Sequence, residues 1–312
     1  MRVLVTGGAG FIGSHLVDAL IAGGHSVTVL DNFSNGKKEN IKLHANDRDF
    51  KIIRGDIKDI AALKKALRGA DAVAHLAAMI SVPLSVKNPK LAHEVNVEGT
   101  LSVLKASHDA GVKRLVHASS CAVYGEASKL PIKEDAPPKP LSPYAMSKLD
   151  AEESCRAFYE TGGFPAISLR YFNVYGPRQS GGDYAGVMLK FMGRLQNNQP
   201  PVIYGDGSQT RDFVYVGDVV DATMLALERP DIGGEVINVG TMKRTSIDDL
   251  CGMFMKLSGK TDLKPIYEPA RTGDIKHSQA DISKAKRLLG FKPKVSIERG
   301  VEMLWKSMGI RG

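Results

Sequence analysis

The sequence predicts an α/β fold: a doubly wound parallel sheet followed by a smaller C-terminal lobe. Three observations predict it. Short apolar, β-branched runs alternate with segments of helical spacing as far as residue 170, the pattern of βαβ units. A glycine-rich turn joins the first run to the first helix. The chain has 312 residues, which suits about two lobes at roughly 150 residues each.

Residues 1–5 are apolar and β-branched and predict a buried first strand. Phe11, Ile12, Leu16, Ala19 and Leu20 recur at helical spacing and predict a helix over 11–22. Residues 27–30 give the second strand, ending at Asp31, and 50–54 the third, followed by Gly55-Asp56. Residues 61–67 are helical, 72–76 give a fourth strand, 92–110 one long helix and 115–118 a fifth strand. Another helix covers 142–160, and a sixth strand covers 166–170. Right-handed crossovers would lay helices on both faces of the sheet. Five of the 15 prolines fall at 131, 137, 138, 140 and 143. Proline fixes φ and lacks an N–H, so this stretch is a loop. Beyond Arg170 the alternation weakens. Residues 183–197 and 248–257 look helical, 214–227 carries a helix pattern, and 236–239 is a candidate seventh strand. The expected division is a nucleotide lobe over 1–170, with 213–241 returning to it. A second, substrate-binding lobe covers 171–212 and 242–312.

Composition narrows the class. Hydrophobic residues make up 43% and charged residues 24%, which argues against a disordered chain. No apolar run approaches the ~18 residues of a membrane span, so no membrane partner is expected. MRVLVTGG at the N-terminus lacks the apolar core and cleavage site of a signal peptide. Cys121, Cys155 and Cys251 are odd in number and show no paired spacing, which fits a reducing cytosol and a cytoplasmic location. No metal is expected. The formal charge is +8, yet the basic residues are dispersed among acids, with Lys37-Lys38 the longest local cluster noted. Nucleic acid is therefore disfavoured, and an anionic small substrate explains the mild excess equally well.

Thr6-Gly7-Gly8-Ala9-Gly10-Phe11-Ile12-Gly13 separates the first strand from the first helix. Gly8, Gly10 and Gly13 satisfy G-x-G-x-x-G, and Gly7, Gly10 and Gly13 satisfy G-x-x-G-x-x-G. Glycines allow the tight turn, let a pyrophosphate approach the backbone, and let helix and strand pack closely. The helix N-terminus offers free N–H groups to phosphate. In this strand–loop–helix context the fold reads as Rossmann-type. Asp31 follows Gly13 by 18 residues. A carboxylate there accepts hydrogen bonds from ribose hydroxyls and repels a 2′-phosphate, which favours NAD over NADP.

Tyr144 and Lys148 stand four residues apart, on one face of a helix. A free tyrosine has a pKa near 10 and is a poor base at neutral pH. An ammonium one turn away is expected to favour the phenolate, which suits a general base acting on an alcohol. Read alone, such a pair is a weak signal; behind a dinucleotide loop it gains weight. Upstream, Ser119-Ser120-Cys121-Ala-Val-Tyr124-Gly125 leaves the fifth strand, at the carboxyl end where open α/β sheets place their ligands. Ser120 can bridge a substrate oxygen and the Tyr144 hydroxyl. Ser119 reads as a structural serine capping a turn.

TGGAGFIG, SSCAVYG, SPYAMSK, the run 169–177, Tyr204-Gly-Asp-Gly-Ser-Gln-Thr-Arg-Asp-Phe-Val214 and Arg271-Thr-Gly-Asp274 together resemble the extended short-chain dehydrogenase/reductase family, and within it the nucleotide-sugar 4-epimerases. The resemblance runs essentially end to end. It implies Ser120, Tyr144 and Lys148 as the catalytic set. It implies NAD, held by Gly7, Gly10, Phe11, Ile12, Gly13, Asp31, Asn32, Asp56, Ile57 and the stretch Leu76, Ala77, Ala78. Tyr144, Lys148, Tyr171 and Phe172 would lie near the nicotinamide. It implies a UDP-sugar substrate contacted by Ser120, Tyr144, Asn173, Val187, Tyr204 and Ser278. Arg211 and Arg271 would hold the diphosphate, as guanidinium forks do, and Asp274 the uridine ribose. The helices 92–110 and 142–160 would pair with symmetry mates as a four-helix bundle, giving a homodimer. Leu91, Val95, Leu101, Leu104, Leu149 and Phe158 are apolar enough for core or interface.

Within such a family the fold does not decide the reaction. The family's dehydratases carry Asp-Glu directly after the hydroxyl residue, where this chain has Cys121-Ala122; the resemblance therefore argues against dehydration. Epimerisation at C4, through a transient 4-keto sugar with bound NAD, asks least of the residues present. Serine at 278, where a bulky tyrosine would restrict the pocket to plain hexoses, favours tolerance of a 2-acetamido group. The stretch Ser81-Val-Pro-Leu-Ser85 points the same way. A UDP-glucuronate 4-epimerase or decarboxylase is the alternative enzyme. A nucleotide-sensing module that lost its chemistry is the alternative of another class.

Overall fold

A computed structural model describes residues 1–179, 186–229, 231–270 and 273–309. In chain order the strands are β1 (Arg2–Thr6), β2 (Ser26–Asp31), β3 (Phe50–Arg54), β4 (Ala72–His75), β5 (Arg114–Ser120), β6 (Ala166–Tyr171), β7 (Asn173–Tyr175), β8 (Val202–Tyr204), β9 (Thr210–Arg211), β10 (Phe213–Tyr215), β11 (Val236–Val239), β12 (Thr245–Ser246) and β13 (Ile266–Glu268). The helices are α1 (Phe11–Ala22), α2 (Ile60–Ala66), α3 (Val82–Lys87), α4 (Pro89–His93), α5 (Gly99–Asp109), α6 (Pro143–Gly162), α7 (Val187–Gln196), α8 (Val216–Leu227), α9 (Ile247–Leu257), α10 (Ser283–Leu289) and α11 (Ile297–Ser307).

The main sheet has seven parallel strands in the order β11-β6-β5-β4-β1-β2-β3. Strand order reverses between β1 and β4. In an open α/β sheet the crevice outside the carboxyl ends at that switch point takes the ligand. The glycine turn after β1 and the Leu76-Ala77 stretch after β4 meet there.

Alternate residues of a strand face opposite sides of the sheet, and both sides are covered. Val3 and Val5 pack with Leu16, Val17 and Leu20 of α1 and Val219 of α8. Leu4 packs with Leu63 of α2, Val103 and Leu104 of α5, and Cys155 of α6. Burial on both faces explains why these strands read as continuous apolar runs rather than as an alternation. A separate core joins α7, α9 and α11 around Phe191, Phe254 and Trp305. Among the described residues, no helix is long and apolar enough to cross a membrane, and no cluster of three or more His, Cys, Asp or Glu could hold a metal.

Three expectations need correction. The single helix expected over 92–110 is broken into α4, a π-helical segment Glu94–Glu98, and α5. The widened turn faces Asn96 inward, where its side chain bonds the Met79 N–H (2.8 Å), the Met79 carbonyl (3.0 Å) and Ser147 (2.9 Å). Such bulges cost helix geometry and are tolerated where a side chain is needed out of register. The helix expected over 214–227 begins only at Val216, because Phe213–Tyr215 pairs in parallel with β7. The helix expected over 183–197 is α7, from Val187 to Gln196; residues 183–185 lie outside the described residues.

Candidate active site

At the carboxyl ends of β1 and β4 the backbone forms a cradle that only glycine fits. Gly7 has φ +70°, and a Cβ there would meet the Ala77 nitrogen at 2.7 Å. A Cβ on Gly13 would strike the Gly7 carbonyl oxygen and come within 2.8 Å of the Gly8 Cα. Helix α1 is preceded by Gly10 at its N-cap, with no side-chain cap, which leaves its first amides to a ligand. Asp31 closes β2, buried; its carboxylate accepts from Ala9 N–H (2.9 Å) and Phe33 N–H (2.8 Å). Burial raises its pKa and those amide bonds oppose the rise. Asn32 donates to Asp56 (3.0 Å) beside it. Ile57 is core, its side chain against Gly99. The cradle, the uncapped helix and the carboxylate at the strand end fit a dinucleotide.

The catalytic candidates converge at the end of β5. Ser142 caps α6 by accepting from Ala145 N–H (3.1 Å), which starts the helix so that Tyr144 and Lys148 share a face. Ser85 of α3 accepts the Tyr144 N–H (3.1 Å). The Ser120 side chain hydrogen-bonds Tyr144, and its Oγ accepts from Ala122 N–H (3.2 Å). Lys148 Nζ donates to the Ala118 carbonyl (2.8 Å).

The expected lowering of the Tyr144 pKa by Lys148 is not what the chain by itself does. Burial raises the Tyr144 pKa; the Ser120 hydrogen bond opposes the rise. Burial also lowers Lys148 to about 8, against the pull of Glu152. The physical reason is that both groups are desolvated by burial, while the ammonium is turned to a strand carbonyl. Ser119, expected to cap a turn, instead donates to the buried Glu152.

The substrate candidates are arranged less simply. Arg211 of β9 pairs with Asp274, and its Nη1 donates to the Thr210 carbonyl (2.9 Å). The residues assigned to diphosphate and ribose therefore engage each other. Arg271 lies outside the described residues. Ser278 is 1% exposed; it bonds the Cys121 thiol, and its N–H donates to the Thr210 carbonyl (3.1 Å). Asn173 opens β7, its N–H bonded to the Asp212 carbonyl (3.0 Å). Val187 starts α7, and Tyr204 ends β8. Tyr171 and Phe172 are buried. The Tyr171 hydroxyl is bonded to Thr223 (2.8 Å), and Phe172 lies against Tyr124.

Sequence reading missed Asp212, Asn96, Glu152 and Arg170. Asp212 accepts from Thr241 N–H and hydroxyl, Met242 N–H and Ala280 N–H, and so fixes the loops beside Ser278. The one available signal was the position of Glu152, four residues beyond Lys148.

A family model described as the NAD dependent epimerase/dehydratase family matches residues 3–240. The chain belongs to this family. Its similarity to the UDP-glucose 4-epimerase of Mycolicibacterium smegmatis is 40% identity, covering 96% of each chain. It is similar to the structure of the UDP-N-acetylglucosamine 4-epimerase of Methanobrevibacter ruminantium in complex with UDP-N-acetylmuramic acid, with TM-score 0.93, 41% identity, and 98% of this chain and 97% of that one covered. It is also similar to the UDP-glucuronic acid 4-epimerase of Bacillus cereus, solved with UDP-glucuronic acid and NAD, with TM-score 0.92, 37% identity and 99% of each chain covered. Membership makes the chain an NAD-dependent enzyme of the extended short-chain dehydrogenase/reductase type, and the glycine cradle agrees with that cofactor.

Proposed function

We propose that the chain reversibly inverts C4 of a UDP-hexose, accepting UDP-N-acetylglucosamine and its galacto epimer as well as UDP-glucose and UDP-galactose. The observation that carries this reading is the convergence of Ser120, Tyr144 and Lys148 at the carboxyl end of β5, beside the glycine cradle and with no acid at 121–122. Bound NAD would supply the hydride acceptor and return the hydride. Tyr144 takes the proton of the 4-hydroxyl and gives it back. Ser120 holds the 4-oxygen. Lys148 holds its positive charge one helical turn from Tyr144 and would help to hold NAD. The 4-keto sugar turns over within the pocket, so that C4 is reduced on its other face. Arg211 exchanges its partner Asp274 for the diphosphate, with Arg271 on the same group, and Asp274 turns to the ribose. In this reading residues 1–170 with 213–241 hold the cofactor, and 171–212 with 242–312 hold the UDP-sugar. The protein is a cytoplasmic homodimer, its three cysteines free.

Proton NMR of UDP-glucose, UDP-N-acetylglucosamine and UDP-glucuronate, each incubated with the enzyme and NAD, tests this. Axial and equatorial 4-hydroxyl products differ in their couplings. Product from the first two is expected, whereas product from the glucuronate alone, or release of carbon dioxide, sinks the reading. Similarity to the Bacillus cereus enzyme makes that arm necessary. Tyr144→Phe is expected to lose roughly 10²–10⁴ in kcat, the usual worth of a general base; a nucleotide sensor would show no turnover to lose.

A further inference from the structure

We propose that Glu152, clamped by Arg170 and Ser119, is a positioning residue that holds the Lys148 ammonium and the Tyr144 hydroxyl in register with the end of β5. The proposal rests on the catalytic reading of Ser120, Tyr144 and Lys148 given above.

Helix α6 presents Tyr144, Lys148 and Glu152 at four-residue intervals, hence along one face. Each of the last three residues of β5 meets one of them. Ser120 bonds Tyr144, the Ala118 carbonyl accepts from Lys148 Nζ at 2.8 Å, and Ser119 Oγ donates to Glu152. From β6, Arg170 closes on the same carboxylate, with Nε at 2.9 Å from Oε1 and Nη2 at 2.6 Å from Oε2. Both side chains of this pair are almost wholly buried, at 6% and 2% exposure. Arg170 in turn lies 4.6 Å over the Tyr124 ring, and the Tyr124 hydroxyl donates to Asn238 of β11 at 2.7 Å. The catalytic face of α6 is thus tied through one carboxylate to β5, β6 and the edge strand. Buried ion pairs are weak devices for stability, because apolar replacements often serve as well. Placement one turn beyond Lys148 gives this pair a different use.

The charges around Lys148 agree with that use. From β4 and β5, His75 and His117 are driven down by burial, His75 to about 3, so both are neutral at working pH. Cys155 of α6 is pushed up to about 12 and stays a thiol. Arg170 of β6 is a cation. Among the described residues, Glu152 is the anion that faces Lys148 and favours its ammonium form.

The test compares the whole enzyme with Glu152→Gln, Glu152→Asp and the double variant Glu152→Gln/Arg170→Met, which leaves no unpaired buried charge if the single variant misfolds. Tyr144→Phe is carried alongside. Kinetics are followed across neutral to alkaline pH on whichever of the three UDP-sugars turns over fastest. Glu152→Gln and the double variant are expected to lose about tenfold or more in kcat with KM changed less than about twofold, the split expected when orientation rather than binding is lost. The alkaline limb of kcat, where Lys148 loses its proton, is expected to move about one pH unit lower. Glu152→Asp is expected to restore part of both. A folded double variant with the parent's kcat and alkaline limb overturns the proposal while Tyr144→Phe is inactive. Retained turnover in Tyr144→Phe overturns the catalytic reading, and the proposal with it.

Discussion

At the scale of single residues, Ser278 is the sharpest test of substrate choice. It is buried beside the Cys121 thiol, next to Ser120 of the proposed catalytic set. Ser278→Tyr is expected to lower kcat/KM for UDP-N-acetylglucosamine relative to UDP-glucose by about tenfold or more, a typical worth of pocket shape. The ratio is the measurement, because overpacking a buried site costs about 1–3 kcal/mol by itself. An unchanged ratio would remove Ser278 as the gatekeeper. The residues legible in the sequence share one property. Ser120, Tyr144, Lys148 and the glycines of the cradle carry chemistry or backbone freedom in a local spacing. Glu152 and Asp212 do not announce themselves. Glu152 gains its meaning from Ser119 and Arg170, and Asp212 from Thr241, Met242 and Ala280, all distant in sequence.

At the scale of elements, α1, β3 and β11 fall at the expected residues, because each is bounded by its own turn signals and apolar period. The 92–110 segment is not the single helix its spacing predicts. Its apolar spacing is helical throughout, and only the bonds from Asn96 to Met79 and Ser147 reveal the wide turn. The two- and three-residue strands β7, β9, β10 and β12 exist through pairing across the chain, and so short a run has no period to read. Helices α5 and α6 bear on assembly. Of the apolar residues expected at core or interface, Leu104 is core, whereas Leu101 of α5 is 40% exposed; Met146 of α6, which was not among them, is 48% exposed. Light scattering after size exclusion is expected to give twice the mass of the chain. Leu101→Lys is expected to shift it toward the monomer, since a charge in an apolar interface stays unpaired. A monomeric parent protein would remove the dimer.

At the scale of the whole molecule, the buried histidines set an acid limit. His75 is held between Thr6 (2.7 Å) and Thr100 (3.0 Å), and His117 bonds Ser168 (3.2 Å). Unfolded, each takes a proton near pH 6.5. Folded, burial keeps His75 neutral down to about 3 and His117 neutral well below its usual value. Below about pH 6.5 the unfolded chain therefore binds protons that the fold does not, and stability falls by up to about 1.4 kcal/mol per pH unit for each histidine. Urea midpoints are expected to drop between about pH 7 and about pH 5, and to drop less in His75→Gln; equal slopes would refute this origin. By itself the sequence determined the alternating strands of the main sheet and the cofactor turn, because periodicity and motif spacing act between near neighbours. The tertiary structure alone decided that β11 lies beside β6, that Arg211 meets Asp274, that Ser278 is buried, and that Glu152 stands behind Lys148. Burial and partnership are set by segments far apart in the chain, and desolvation, which governs the charges of Tyr144 and Lys148, exists only once those segments have packed.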